Sequence, residues 1–287
     1  MKDANKEKNK KGAVRSLTNE IKGHKITFAV YAVLRLIVIA FAVLAATRGQ
    51  WENLFTCLLT LVLLLIPSFV ERSFKVKLPS VLEVIVLLFV FAAQILGEIQ
   101  CYYIKYPMWD TMLHTVNGFI FAAAGFALVD VLNRNDKIKL QLNPMYMALV
   151  AFCFSMTVGV MWEFFEYGAD CILHTDMQKD TVVNAIYTVK LDPTDSNTVI
   201  AVEGIKTASV NGQELGLGGY LDLGIHDTMK DLLVNFIGAV VFSIIGFVYV
   251  KNRGKKKSIA ALFIPTLKDE EREPDGSDTP SDEEGQE

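Results

Sequence analysis

Apolar residues along the chain are gathered into six long runs that polar segments separate. Each run is about 20 residues long, the length that a helix needs to cross the hydrocarbon core of a bilayer. The six predicted spans cover residues 26–46, 52–70, 80–98, 111–132, 146–168 and 230–250. The pattern therefore predicts an all-α membrane protein with six transmembrane helices.

The first run has a competing interpretation as the apolar core of a cleaved signal peptide, because basic residues precede it. The run is too long for a signal peptide, Arg35 lies in its middle, and no small-residue cleavage motif follows it. We therefore interpret residues 26–46 as an uncleaved helix.

The stretch between the fifth and sixth runs has a different pattern. Within residues 173–226, β-type residues are interrupted by turn signals such as Asn211–Gly212, as in short strands and hairpins. The pattern predicts a small, partly β insertion between helices 5 and 6.

Lysine and arginine residues flank the spans unevenly. Nineteen lie beside one set of span ends, and six lie beside the opposite set. Cytoplasmic loops of membrane proteins carry the excess of Lys and Arg. We therefore expect a plasma-membrane protein with both termini in the cytoplasm and an extracytoplasmic insertion.

The composition shows that charged residues are concentrated in the tails and loops. Hydrophobic residues make up 52% of the chain although 21% of residues are charged, since the charge lies in tails and loops. The predicted division is a basic cytoplasmic tail at 1–25, helices 1–5 at 26–172, the insertion at 173–226, helix 6 at 227–252 and an acidic cytoplasmic tail at 253–287.

Both tails are too polar to bury a core of their own. The last 19 residues contain 10 of the 32 acidic residues, and we expect this tail and residues 1–20 to be disordered. No basic patch remains once the tails are set aside, so we expect no nucleic-acid partner.

Three spans carry clustered acidic and histidine residues at one end, in the segments WDTMLHTVNG (109–118), WEFFEYGAD (162–170) and HDTMKDLLVNFIGA (226–239). Helical spacing aligns each cluster along one face, and the alternating direction of the spans brings all three to the outer leaflet. Ionisable groups inside spans are costly and usually face a bundle interior or a cavity, so their convergence is a hypothesis for a functional site.

Carboxylates combined with one imidazole suit two kinds of chemistry. They bind divalent ions such as Zn²⁺, Mn²⁺ or Mg²⁺, and they perform general acid–base catalysis. The candidate metal ligands are Asp110, His114, Glu163, Glu166, Asp227 and Asp231. The candidate catalytic residues are His114, Glu163 and Asp231, and the cofactor implied is a divalent metal ion.

Structural interpretations of the same residues stay open. Asp110 and Asp227 each precede a threonine and suit helix N-caps. Small and polar residues that hold spans together are Asn117, Gly118, Asn235 and Gly238. Residues that suit an aromatic belt at the membrane interface are Tyr102, Tyr103, Tyr106, Trp109 and Trp162.

Two further pairs are suggested by position alone. Arg35 in the first span and Glu83 in the third suit a structural ion pair across the bundle. Cys101 and Cys171 both fall on the predicted outer face, where a disulfide is chemically allowed.

The motifs WDxxxHxxNG, WEFFEYGAD and GYLDLGIHDTMKDLLVNFIGA resemble the YjdF-type family of bacterial inner-membrane proteins, over about residues 80–250. The order of the motifs is also similar, more distantly, to VanZ-like proteins linked to glycopeptide tolerance, although the arginine that usually precedes their last Asp is missing here. The resemblance implies a fold and a location in the bacterial plasma membrane, and supplies no mechanism.

Three classes of function are compatible with this pattern. The first is a metal-dependent enzyme acting on a lipid or lipid-linked headgroup through an outer polar pocket. The second is a non-enzymatic membrane protein whose insertion engages an envelope protein. The third is a transporter of ions or small solutes, against which the absence of an evident internal repeat counts.

Overall fold

The computed structural model describes residues 2–74, 76–133, 142–252 and 262–267, and it describes side chains for 25–74, 76–133, 142–252 and 262–265. Six helical segments in these ranges are long and apolar enough to cross a membrane. They are Lys25–Thr47, Trp51–Ser73, Ser80–Ile99, Trp109–Asn133, Pro144–Leu173 and Ile225–Lys251. The predicted six-helix membrane fold is confirmed.

The helices are α1 (Lys2–Thr47), α2 (Trp51–Leu63), α3 (Ile66–Ser73), α4 (Ser80–Phe91), α5 (Tyr102–Lys105), α6 (Trp109–Asn133), α7 (Pro144–Leu173) and α8 (Ile225–Lys251). The second span is interrupted between α2 and α3 because Pro67 occupies the first turn of α3, where a proline starts a helix but cannot continue one. The third span continues from α4 into a π-helix, Ala92–Ile99, a geometry that is frequent at functional sites.

Helices α6, α7 and α8 pack closely against one another because glycines remove side-chain volume at their contacts. A Cβ atom on Gly238 would collide with the carbonyl oxygen of Thr115, and one on Gly118 would collide with the carbonyl oxygen of Asn235. Small residues let membrane helices approach in this way. Helices α1, α2 and α4 share a second apolar core that contains Leu34, Val38 and Leu87.

The insertion is built from short antiparallel pairs, as predicted. The strands are β1 (Val76–Lys77), β2 (Val182–Val183), β3 (Ala185–Thr188), β4 (Ile200–Glu203), β5 (Ser209–Val210), β6 (Gln213–Glu214), β7 (Tyr220–Leu221) and β8 (Thr266–Leu267). Within the insertion β2 pairs with β7, β3 with β4 and β5 with β6. The fourth pair, β1 with β8, lies outside it.

The N-terminal segment differs from the prediction. Helix α1 begins at Lys2, whereas we expected residues 1–20 to be disordered. Residues 1–20 contain five lysines, and no proline precedes the first span. Once the span has nucleated a helix, each added residue gains one hydrogen bond, so the helix extends through a segment that could not form one alone.

The C-terminal tail also differs from the prediction of disorder over 253–287. Residues 253–261 and 268–287 of that tail lie outside the described residues. Residues 262–267 are ordered: Ile264 is buried in the core of the α6–α7–α8 bundle, and β8 pairs with β1. This apolar stretch is short and lies between charged residues, so the composition of the tail as a whole did not predict its order.

Neither of the two suggested pairs is present. All four cysteines are among the described residues, and all four are free, so Cys101 and Cys171 are not bridged. The guanidinium of Arg35 lies over the ring of Tyr31 at 4.4 Å, and its Nε has no hydrogen-bond partner in the described part of the chain. The aromatic ring, rather than Glu83, is the neighbour of this cation, an arrangement that cation–π attraction stabilises.

Candidate functional site

The three polar clusters converge on His114, which α6 places between carboxylates of all three helices. Its Nε2 atom lies 3.5 Å from Oδ1 of Asp110 and 3.7 Å from Oδ2 of Asp231. Its Nδ1 atom lies 3.9 Å from Oε1 of Glu163. Asp110 and His114 share a face because they are one helical turn apart, whereas Glu163 comes from α7 and Asp231 from α8.

We call the six predicted ligands together the acidic–histidine cluster (Asp110, His114, Glu163, Glu166, Asp227 and Asp231). Five of its members are buried, and Asp231 is only 1% exposed. The cluster lies where α6 and α8 begin and α7 ends, and we call this the pocket end of the bundle. Buried carboxylates at such density require a compensating cation, a shared proton or hydrogen-bond donors.

Lys230, which the sequence had not marked as part of the site, supplies one compensating positive charge. Its Nζ lies 3.2 Å from Oδ1 of Asp227, 3.8 Å from Oδ1 of Asp231 and 3.9 Å from Oδ2 of Asp110. Among the described residues it is the ammonium that contacts these carboxylates. One lysine cannot balance five carboxyl groups by itself, so bound protons or a further cation are needed for the rest.

Several carboxylate oxygens in the cluster lack hydrogen bonds. Oδ2 of Asp110, Oε2 of Glu163 and Oδ1 of Asp231 are buried without a hydrogen-bond partner among the described residues. A buried polar atom without a partner costs about 1–3 kcal/mol, and more when it is charged. These oxygens therefore have unused capacity to bind a cation or a proton.

Three members of the cluster have the arrangement of a metal site. Asp110, His114 and Asp231 each offer one ligand atom, and these atoms all lie within 4.8 Å of one another. Ligand atoms ~2.0–2.2 Å from a tetrahedral zinc ion stand ~3.3–3.6 Å apart. The distances of 3.5 and 3.7 Å from His114 Nε2 to the two aspartates are close to that spacing.

The other three predicted ligands have different neighbours. Glu163 faces the opposite ring nitrogen of His114, the position from which a carboxylate orients a metal-binding histidine. Glu166 accepts a hydrogen bond of 2.7 Å from Nε1 of Trp162. Asp227 accepts one of 2.9 Å from the backbone N–H of Lys179, and Gly224, not Asp227, is the N-cap residue of α8.

A short segment after α7 is joined by hydrogen bonds to α7 and α8 beside the cluster. Residues 174–180, which we call the strap, leave the end of α7. The backbone N–H groups of Met177 and Gln178 donate to the carboxylate of Asp170 at 2.7 and 2.9 Å. The side chain of Gln178 also donates to Thr228 on α8 at 2.5 Å. Asp170, predicted as part of the polar stripe, therefore anchors the strap.

Tyr103, which the sequence assigned only to an aromatic belt, is partly buried beside the π-helix. Its ring packs against Gly97 of the π-helix, where a Cβ atom would collide with it. Burial raises the pKa of Tyr103, and the negative charges of Glu98, Asp110, Glu166 and Asp231 raise it further. The phenol therefore stays protonated and keeps a hydrogen-bond donor beside the acidic groups.

A layer of uncharged polar groups lies one turn deeper than the cluster. The side chain of Asn117 donates to Oδ1 of Asn235 at 3.3 Å, and the hydroxyl of Ser155 donates to the carbonyl oxygen of Gly118 at 2.7 Å. This layer links α6, α7 and α8 and agrees with the packing interpretation of Asn117 and Asn235. Its amide groups have partners, in contrast with the carboxylates above them.

One family model matches a region of the chain that includes most of the first span and all of the other five. The family model described as "Predicted membrane protein (DUF2238)" matches residues 28–252. The chain belongs to this family. The matched region includes every residue of the acidic–histidine cluster and excludes residues 262–267. No curated protein and no solved structure matches the chain.

Proposed function

We propose that this membrane protein binds a divalent metal ion through Asp110, His114 and Asp231. The observation that carries the proposal is the placement of their three ligand atoms within 4.8 Å of one another. Oδ2 of Asp110 and Oδ1 of Asp231 support it. They accept no hydrogen bond among the described residues, and Lys230 lies 3.9 and 3.8 Å away, so a closer cation would relieve the cost of burying them. One imidazole and two carboxylates suit Zn²⁺ or Mn²⁺.

Three supporting residues fit the same role. Glu163 lies where it would orient His114, and its unpartnered Oε2 is available to accept a proton from a ligand. Tyr103 offers a neutral donor. A bound divalent ion would supply Lewis-acid chemistry. These parts together are those of a metal-dependent enzyme.

We further propose that the cluster faces the outer leaflet of the bacterial plasma membrane and that both termini are cytoplasmic. The support is the excess of Lys and Arg, 19 against 6, beside the span ends opposite the cluster. The motif resemblance to YjdF-type proteins agrees with this location. The more distant likeness to VanZ-like proteins adds an association with the cell envelope.

The proposed substrate class is the headgroup of a lipid or a lipid-linked molecule. Exposed aromatic residues, Tyr106, Trp162 and Phe165 among them, lie near the pocket end. Such side chains are typical of the membrane–water interface. A site at this level of the bundle would meet headgroups rather than acyl chains.

Metal binding by purified protein tests the proposal. We expect about one equivalent of Zn²⁺ or Mn²⁺ by elemental analysis after dialysis, and saturable binding by calorimetry. His114→Ala and Asp231→Asn should each weaken the affinity at least ~100-fold, because loss of a direct ligand exceeds the loss of a supporting residue. His226→Ala, which removes an exposed histidine at the start of α8, is the matched control and should bind normally.

Folded wild-type protein that takes up none of Zn²⁺, Mn²⁺ and Mg²⁺ would reject a metal site. Equal binding by the His114→Ala and His226→Ala variants would place any bound ion elsewhere.

A further inference from the structure

The C-terminal residues 262–267, which we call the closing segment, return into the helix bundle after α8 has ended. Ile264 is 1% exposed and belongs to the apolar core that contains Leu78, Leu82 and Phe126. The ring of Phe263 lies edge-on to Phe119, with centroids 5.6 Å apart. The segment is therefore packed into the protein.

The sequence explains why this segment must enter and leave by one face. An apolar stretch, SIAALFIPTL (258–267), lies between basic residues at 251–257 and acidic residues at 269–287. Ten residues are about half the number that a membrane-crossing helix needs. Charged residues favour water, so a short apolar stretch between two charged flanks favours a path that enters and leaves the bundle on the same side.

The backbone of the closing segment is suited to a dry environment. Thr266–Leu267 pairs antiparallel with Val76–Lys77 in the register Val76↔Leu267 and Lys77↔Thr266. Pro265 is buried and has no N–H group that needs a partner. Both features reduce the number of backbone polar groups that burial would leave without a partner.

The closing segment lies at the end of the bundle opposite the acidic–histidine cluster. Its neighbours in the core include Leu78 before the start of α4 and Val129 near the end of α6. Met147 in the first turn of α7 and Tyr249 near the end of α8 belong to the same group. Above it, Phe119 and Phe242 stack edge to face at 5.1 Å, between the segment and the cluster.

We propose that the closing segment seals the cytoplasmic end of the α6–α7–α8 bundle, so that the acidic–histidine cluster exchanges ligands only with the outer face. The assignment of this end to the cytoplasm rests on the orientation proposed above, whereas the seal does not depend on metal binding. A bundle closed on one side serves a binding site or an enzyme and opposes a path for solutes across the membrane.

A disulfide cross-link tests whether the segment is docked in native membranes. Val76→Cys with Leu267→Cys joins direct partners of an antiparallel pair, whose Cα separation suits a disulfide. The native Cys57, Cys101, Cys153 and Cys171 are first replaced by Ala. A protease site at the exposed Asn211–Gly212 turn lets the cross-link hold two fragments together until a reductant separates them.

We expect oxidant to cross-link most of this variant. Arg48→Cys with Leu267→Cys, which lie at opposite ends of the bundle, is the matched control and should give no product. Absence of a cross-link in the Val76/Leu267 variant, with both thiols alkylatable, would overturn the proposal.

Thiol accessibility tests the seal. In the cysteine-free background, Ala123→Cys places a thiol in the buried core. An impermeant maleimide applied to inside-out vesicles should label it slowly, and at least ~10-fold faster when Ile264→Asp is added. Leu262→Asp, a change at an exposed position of the same segment, should leave the rate unchanged.

Rapid labelling of Ala123→Cys in the otherwise unmodified segment, or equal rates with Ile264→Asp and Leu262→Asp, would overturn the seal. If Ile264→Asp fails to fold, the cross-link and the rate in the Ala123→Cys protein still decide the question. Neither readout involves a metal ion, so this proposal and the metal proposal can fail separately.

Discussion

The two ends of the α6–α7–α8 bundle differ in the polarity of their buried side chains. At the pocket end, five carboxylates, a histidine and Lys230 are gathered, and several carboxylate oxygens accept no hydrogen bond among the described residues. At the other end, Phe126, Phe242 and Ile264 fill an apolar core with almost no exposed surface. The same bundle therefore has one end that is a close-packed apolar core and another where buried carboxylate oxygens lack hydrogen bonds.

The difference shows how a membrane bundle holds an unfavourable cluster in place. Glycines at the helix contacts bring backbones together below the cluster, and the paired amides of Asn117 and Asn235 lie between the two ends. Rigid packing limits the relaxation by which carboxylates would otherwise separate. The cluster is then held in a geometry that a bound cation would stabilise.

The largest expected effect comes from breaking the packing that both ends share. Gly238→Val would place a side chain against the backbone of Thr115 and Phe119, and backbone cannot move aside as a side chain can. We expect a loss of at least about 3 kcal/mol in the free energy of unfolding, measured by denaturant titration in detergent.

Gly168→Val is the matched control, because a Cβ atom on Gly168 meets no atom within 4 Å. Similar losses for both variants would mean that valine in a helix, rather than close helix contact, is the cause.

A smaller effect is expected when the positive charge at the pocket end is removed. Lys230 lies 3.2–3.9 Å from three aspartates, so its ammonium competes with a metal ion for their charge. We expect Lys230→Met to tighten divalent-metal binding about tenfold, since part of a Coulomb repulsion is removed at a partly exposed position. The same change should lower the stability of metal-free protein.

Calorimetric titration measures the first effect and thermal unfolding in chelator the second. Lys190→Met removes an equal charge from an exposed site in the insertion and should change neither quantity. Weaker metal binding by Lys230→Met would mean that the lysine supports the ion rather than competes with it.

The smallest expected effect concerns the entry to α8 beside the cluster. Partial burial would raise the pKa of Asp222, but hydrogen bonds from the backbone N–H groups of Thr181, His226 and Gly224 outweigh it and hold the pKa below its ordinary value of 3.8. A carboxyl with a lowered folded-state pKa contributes stability above its unfolded pKa and loses it as the pH falls through the folded value.

We therefore expect hydrogen-exchange protection of residues 222–228 to fall by a few-fold below about pH 4. The β3–β4 backbone pairing is the internal reference and should keep its protection. In Asp222→Asn the decrease should be absent; its persistence would assign the acid sensitivity to another group.

Much of the architecture follows from sequence periodicity. Hydrophobic runs of membrane length predict the six spans, because every backbone group must be paired within lipid and a helix pairs its own. Helical spacing and the alternation of span direction predict that Asp110, His114, Glu163 and Asp231 meet. Helix ends were harder to predict: α7 continues to Leu173, five residues beyond the predicted end of the fifth span at 168.

Only the tertiary structure decides which groups touch. Periodicity assigns a residue to a face, but the rotation and depth of each helix determine ångström distances. The placement of Lys230 among aspartates, of Tyr103 over Gly97 and of Glu163 behind His114 depends on those two quantities. The docking of Ile264 depends on a groove formed by distant residues, which a local window of charged sequence cannot reveal.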